Sequence, residues 1–184
     1  MPENLILVDA RNRAIGREEK RAVHERGLRH RAFSIFLVDR EGRLLLQRRH
    51  PAKYHSGGLW SNACCGHPRP GERTRSAAQR RLGEELGATA TLHFGFLACY
   101  RTEFANGMIE NEIVHVYFGL TPATLEFNPR EVSSLARHTL AQLQGDIRRQ
   151  PEKYSYWLRD YLAHHTPAIK RGVKDVLTAF RKSN

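Results

Sequence analysis

Cysteine is scarce in this chain. Its 184 residues include three, two of them adjacent at Cys64 and Cys65. That is too few for a disulfide framework and points to a reducing, cytoplasmic compartment. No apolar run approaches the ~18–20 residues that a membrane span needs. The opening MPENLILVDARNR has no basic region ahead of an apolar core, so it does not read as a secretory leader. Repeats, low-complexity tracts and Gly/Ser linkers are missing too. At ~100–200 residues per domain, one domain over 1–184 is expected. Acid is also short: 19 Asp and Glu stand against 30 Lys and Arg, a formal net charge of +11. That surplus favours an anionic partner, either nucleic acid or a phosphorylated small molecule, or marks only a solvated basic surface. The basic residues are scattered without interleaved aromatics, which counts against a nucleic-acid-binding module. With 40% hydrophobic and 27% charged residues, the chain is globular and not disordered.

The apolar patterning yields a sequence of elements. Residues 5–9 (LILVD) read as a strand and 17–24 (REEKRAVH) as a short helix ending near Gly27. AFSIFLVD (32–39) and RLLLQRR (43–49) flank the turn signature DREG and read as a β-hairpin. Residues 50–58 (HPAKYHSGG) read as loop and 59–66 (LWSNACCG) as extended chain. Residues 74–86 form a helix with Ala78, Leu82 and Leu86 on one face and Gly87 at the C-terminal cap. Residues 90–100, 107–120 and 131–138 read as strands, with Asn106-Gly107 as a turn. Residues 139–150, 154–165 and 168–182 read as helices. Together these give an α+β domain, a mixed sheet with flanking helices.

Three segments could carry chemistry. The first, GHPRPGERTRSAAQRRLGEELGA (66–88), matches the Nudix pattern of loop, helix and loop. A glycine-flanked loop lets the backbone turn, and the helix then presents carboxylates to a hard divalent cation. Nudix hydrolases carry a glutamate immediately after the arginine of this motif; here the residue is Arg81. In the second segment, NACCGHP, Cys65 and His67 point to one face of an extended chain. They could be a catalytic pair, a metal pair or neither. A thiol of reference pKa ~8.5 can give or take a proton, while buried packing is the simpler reading for Cys64 and Cys99. The third is ENE, where Glu110 and Glu112 share a face of an otherwise apolar strand. Such carboxylates are costly unless paired or metal-bound, or unless that face is an exposed edge. His24 and His30 match no standard zinc spacing, and Trp157 would ordinarily be core.

Taken in order, EEKRAVH, HRAFSIFLVD, LLLQRR, GLWSNACCGHP, RRLGEELG, ENE and YSYW resemble type I isopentenyl-diphosphate isomerase, a non-hydrolytic relative of the Nudix enzymes. The resemblance covers about 4–165 and implies a Nudix-like mixed β-sheet core flanked by helices. Residues 166–184 read as a C-terminal helix outside it. The resemblance implies interconversion of isopentenyl and dimethylallyl diphosphates through a tertiary carbocation. It assigns Cys65 and Glu112 as the proton-transfer pair, Tyr100 beside Glu112, and the Trp157 π face to the cation. It implies a divalent ion (Mn²⁺, Zn²⁺ or Mg²⁺) on His24, His30, His67, Glu110 and Glu112, and a Mg²⁺ that bridges the substrate diphosphate to Glu85. Lys20, Arg49, Lys53 and Arg81 match the positions that hold the diphosphate. The implied partner is a small-molecule diphosphate, with no nucleic acid, membrane or obligatory protein partner. A Nudix pyrophosphohydrolase acting on a nucleoside diphosphate derivative is the alternative.

Overall fold

The computed structural model describes residues 3–53 and 55–182. Its centre is β3 (His30–Val38), in which eight of nine residues are buried, seven of them in a row. A strand apolar on both faces needs neighbours on both edges and a layer on each side. One edge is taken along its whole length by β8 (Ile109–Leu120), running parallel from His30↔Glu112 to Val38↔Leu120. The other is shared between β1 (Asn4–Val8), at Leu7↔His30, and β6 (Cys64–Gly66), at Ser34↔Cys65.

The DREG turn forms as expected, but the hairpin ladder does not. β3 and β4 (Leu44–Arg49) pair only at Val38↔Leu44. β4 then diverges to pair with β9 (Val132–His138) and β5 (Trp60–Asn62). The edge strand β7 (His93–Glu103) completes the sheet against β8. It lies about three residues later than the sequence reading placed it.

The two faces of β3 are covered by different helices. Phe33, Ile35 and Leu37 pack with Leu82 and Leu86 of α2 (Thr74–Leu86). Phe36 and Val38 pack with Leu158, Tyr161, Ile169 and Val176, residues of α4 (Tyr156–His164) and α5 (Thr166–Lys182). The C-terminal helix, which lies outside the resemblance, is thus part of the core. A Cβ on Gly172 of α5 would stand 2.6 Å from the Phe118 ring, so only glycine permits this approach. α3 (Leu140–Arg149) opens with a Thr139/Gln142 capping box, and a 3₁₀ turn (Pro151–Lys153) leads to α4.

Two further readings are corrected. Residues 17–24 are not one helix: β2 (Ala14–Glu19) ends on Glu19, whose side chain caps α1 (Lys20–Arg26) by accepting from Ala22 N at 3.1 Å. Cys99 is exposed on the outer face of β7, while Cys64 is buried as expected. No helix among the described residues is long and apolar enough to cross a membrane.

Candidate active site

The site is a cavity of about 180 Å³ that opens over the face of β3 carrying Ala32 and Ser34. Sheet register builds one end of it. Glu112 on β8 lies opposite His30 on one neighbouring strand and Tyr100 on the other, and directly paired residues project to the same face. The Tyr100 hydroxyl accordingly donates to Glu112 Oε2 at 2.6 Å. His67, just beyond β6, donates from Nε2 to Glu112 Oε1 at 2.9 Å. Glu110, two residues back along β8, faces the same way and is buried. His24 enters from α1, its Nε2 3.7 Å from Glu110 Oε1.

These residues fit a divalent cation. One donor atom each from His24, His30, His67 and Glu110 lies within 4.8 Å of the others, and all four residues are buried. His24 Nδ1 donates to the Lys20 carbonyl at 2.6 Å and His30 Nδ1 to the Leu28 carbonyl at 2.9 Å. Those bonds fix the tautomer that leaves Nε2 with a lone pair facing inward. His30 Nε2 and Glu110 Oε2 are buried without a hydrogen-bond partner, the mark of a site built for something more. His30 Nε2 is 3.3 Å from Glu112 Oε1, close but misaligned for a hydrogen bond. Burial, then the charge of Glu112, pushes the Glu110 carboxyl well up. Burial acts the same way on Glu112, but the two imidazoles more than offset it and hold that carboxyl well below its usual range.

Cys65 occupies the other end, opposite Ser34 on β3. Its thiol donates to Asn62 Oδ1 at 3.2 Å and lies 3.3 Å from Ser34 Oγ, which in turn is 2.9 Å from the Tyr161 hydroxyl. Burial pushes the thiol up to about 11, so at neutral pH it carries its proton. Trp157, buried on α4, is held by a 2.8 Å bond from Nε1 to Ser61 Oγ, and its ring forms part of the cavity wall.

The mouth is basic. Lys20, Arg49, Lys53 and Arg81 all reach it. The structure adds acids that the sequence reading missed: Glu3 bonds Lys20 at 2.9 Å, and Glu131 bonds Lys53 and stands 3.5 Å from Arg81. Neither acid lies in a motif; each is recognisable only once the fold sets it beside its lysine. Arg49 lies over the Trp157 ring at 5.1 Å. Glu85 is buried on the inner side of α2, bonded by Arg81 and, at 3.1 Å, by Gln47 Nε2. Glu84, beside it, faces outward and bonds Arg81 at 2.8 Å. The site residues that the resemblance implied therefore come together around one cavity and the adjoining His/Glu cluster. A fourth imidazole, His55, was not singled out; its Nε2 stands 3.0 Å from Glu110 Oε1.

Comparison with known proteins agrees with this geometry. Residues 28–161 match the NUDIX domain. The chain is 48% identical to isopentenyl-diphosphate Delta-isomerase 2 of Aromatoleum aromaticum, over 86% of this chain and 84% of that one. It is 49% identical to isopentenyl-diphosphate Delta-isomerase of Serratia proteamaculans, over 85% and 88%. Among solved structures, DR0079 of Deinococcus radiodurans aligns with a TM-score of 0.66 at 22% identity, covering 80% of this chain and 90% of that one. A MutT protein of Methanosarcina mazei aligns with a TM-score of 0.61 at 18% identity, covering 80% and 94%. These structural likenesses carry the fold alone.

Proposed function

Because the chain belongs to the type I isopentenyl-diphosphate Delta-isomerase family of the Nudix superfamily, we propose that it interconverts isopentenyl and dimethylallyl diphosphates. The observation that carries this reading is a thiol and a carboxylate, Cys65 and Glu112, lining the two ends of one cavity below a basic mouth. The reaction adds a proton to an unactivated alkene, giving a tertiary carbocation, and removes one from the adjacent carbon. It needs two proton carriers and no oxidant or attacking water. Because it is reversible, each of the two acts as acid in one direction and base in the other. Tyr100 holds the Glu112 carboxylate. The π face of Trp157 stabilises the cation, and the Tyr100 and Trp157 rings in the wall screen it from water that would trap it.

Lys20, Arg49, Lys53 and Arg81 take the diphosphate; guanidinium forks suit its oxygens. His24, His30, His67, Glu110 and Glu112 would hold one divalent ion, with Mn²⁺, Zn²⁺ and Mg²⁺ all compatible with the mixed N and O donors. Glu85 would be the side-chain contact for a Mg²⁺ that arrives with the substrate. The bound charge would lower the proton affinity of Glu112 and steady its orientation. The chain acts as one domain, since α5 packs against β8 within the same core that supports Trp157.

The hydrolase alternative is not favoured. Arg81 replaces a metal-binding glutamate of the Nudix pattern and instead grips Glu84 and Glu85. The test is incubation with isopentenyl diphosphate and with a panel of nucleoside diphosphate derivatives, with and without chelator. Allylic diphosphate should form only from the first, disappear with chelator, and appear without phosphate release. Phosphate release from a nucleotide with no allylic product would overturn the reading.

A further inference from the structure

His55 lies in the loop between β4 and β5, read from sequence as mere connection. The backbone there is specialised. Ser56 adopts a left-handed φ of 51°, and a Cβ on Gly57 would come within 2.3 Å of the Pro51 carbonyl oxygen. Arg49 N bonds Leu59 O at 2.9 Å and Gly58 N bonds Arg49 O at 3.1 Å, closing the loop at its base. A non-glycine residue in the left-handed region persists only where the surroundings over-determine it, often at functional sites. Here the result is an imidazole turned inward and buried.

Among the described residues the ring makes several directed contacts. It stacks on Phe104, with centroids 4.8 Å apart and planes 10° from parallel. It meets Trp157 edge-on at 6.0 Å and 89°. Its Nε2 is 3.0 Å from Glu110 Oε1, and its Nδ1 is 3.4 Å from Ser56 Oγ. Nε2 faces that carboxyl at hydrogen-bonding distance, so an ionised, metal-binding Glu110 would take its hydrogen bond from Nε2–H. His55 does not belong to the compact donor set of His24, His30, His67 and Glu110. It approaches that set from outside, 3.0 Å from one oxygen of Glu110, while the other, Oε2, stays buried and unpartnered.

We propose that His55 is a positioning residue that joins the two halves of the site: its Nε2–H orients Glu110 for cation binding, and its ring, backed by Phe104, seats Trp157. The first half rests on the assignment of Glu110 as a metal ligand, made above. Partners that orient a ligand in this way typically contribute ~10–100-fold in metal affinity. Gln can offer an N–H in place of Nε2 but has no ring; Phe keeps a ring but has no donor.

The experiment is Mn²⁺ titration of purified His55→Phe, His55→Gln and Glu110→Gln, following free ion by electron paramagnetic resonance, with a thermal melt of each. His55→Phe should bind Mn²⁺ ~10–100-fold more weakly than wild type, and His55→Gln should restore affinity to within a fewfold. At saturating Mn²⁺, His55→Gln should lower kcat severalfold and leave the KM for isopentenyl diphosphate unchanged, because the seat of Trp157 is lost and the diphosphate grip is not. Should His55→Phe melt below assay temperature, His55→Leu supplies the same donor-free arm. Wild-type affinity in the donor-free variant, with affinity lost in Glu110→Gln, overturns the proposal and leaves the metal assignment standing. Wild-type affinity in Glu110→Gln removes the assignment and the proposal together.

Discussion

Removing one hydroxyl from the candidate site, by Tyr100→Phe, gives a sharp test of how Glu112 is held. The phenol donates to Glu112 Oε2 at 2.6 Å, and both groups are buried. Burial, then the charge of Glu112, keeps the phenol far above its usual range, so it stays protonated and acts as a fixed donor. A hydrogen bond to a charged group contributes ~1.5–3 kcal/mol. If all of it serves the reacting geometry, kcat should fall roughly 10–150-fold, at 1.36 kcal/mol per decade. The loss is bounded, because Glu112 Oε1 keeps the 2.9 Å bond from His67. The cations at the mouth are untouched, so KM should change less than twofold. The assay is steady-state conversion of isopentenyl diphosphate at saturating metal, with bound metal quantified in parallel. An unchanged kcat, or a loss carried wholly by KM, would refute the claim that the phenol holds the carboxylate during proton transfer.

Other perturbations follow from the same geometry. Cys65→Ala should abolish turnover while diphosphate binding, measured by calorimetry, persists; Cys99→Ala, at an exposed position, should be silent in the turnover assay. Gly172→Ala forces a Cβ to 2.6 Å from the Phe118 ring, an overpacking cost of ~1–3 kcal/mol. That exceeds the ~1 kcal/mol helix gain, so the melting temperature should drop by a few degrees, and a rise would show that the ring yields freely. In metal-free protein, burial holds His67 at about 4 and His55 at about 3, both below their unfolded values of ~6.5. The unfolded chain therefore binds more protons in this window. Stability should fall as pH drops from ~6.5 toward 3–4, as read by urea unfolding across that range. A flat profile would mean that the imidazoles are not buried neutral.

Much of the site was legible because its chemistry is written in short, ordered strings. The ENE triplet fixed two carboxylates on one face whatever the rest of the fold, and NACCGHP did the same for Cys65 and His67. His55 was not legible, because a Pro- and Gly-rich stretch reads as connection until the backbone shows where it turns; the Gly57-Gly58 pair was the only signal. β2 went unread because it is an edge strand with mostly exposed residues, so its period-2 signal is absent, and REEKRAVH has helical spacing. The expected hairpin failed for the opposite reason. AFSIFLV is apolar on both faces but for Ser34, which suits a strand covered on both sides with a parallel neighbour, and only its turn belongs to a hairpin. Cys99 was misplaced because cysteine is usually buried, whereas on β7 the alternation that buries Ala98 and Tyr100 sends it outward.

The half-buried seat of Cys65 in the cavity wall makes it a chemically quiet cysteine. With its proton held to about 11, roughly one thiol in ten thousand is ionised at neutral pH, and the thiolate is the form that alkylating agents and peroxides attack. A general electrophile should therefore modify exposed Cys99 well before Cys65, and oxidative stress should spare the centre. An electrophile carried on a diphosphate has a different prospect. The basic mouth would dock it beside the thiol, so that local concentration replaces intrinsic reactivity as the source of rate. Selective inactivators of this fold should then be anchored, weakly reactive compounds, with potency that tracks the anchor more than the warhead.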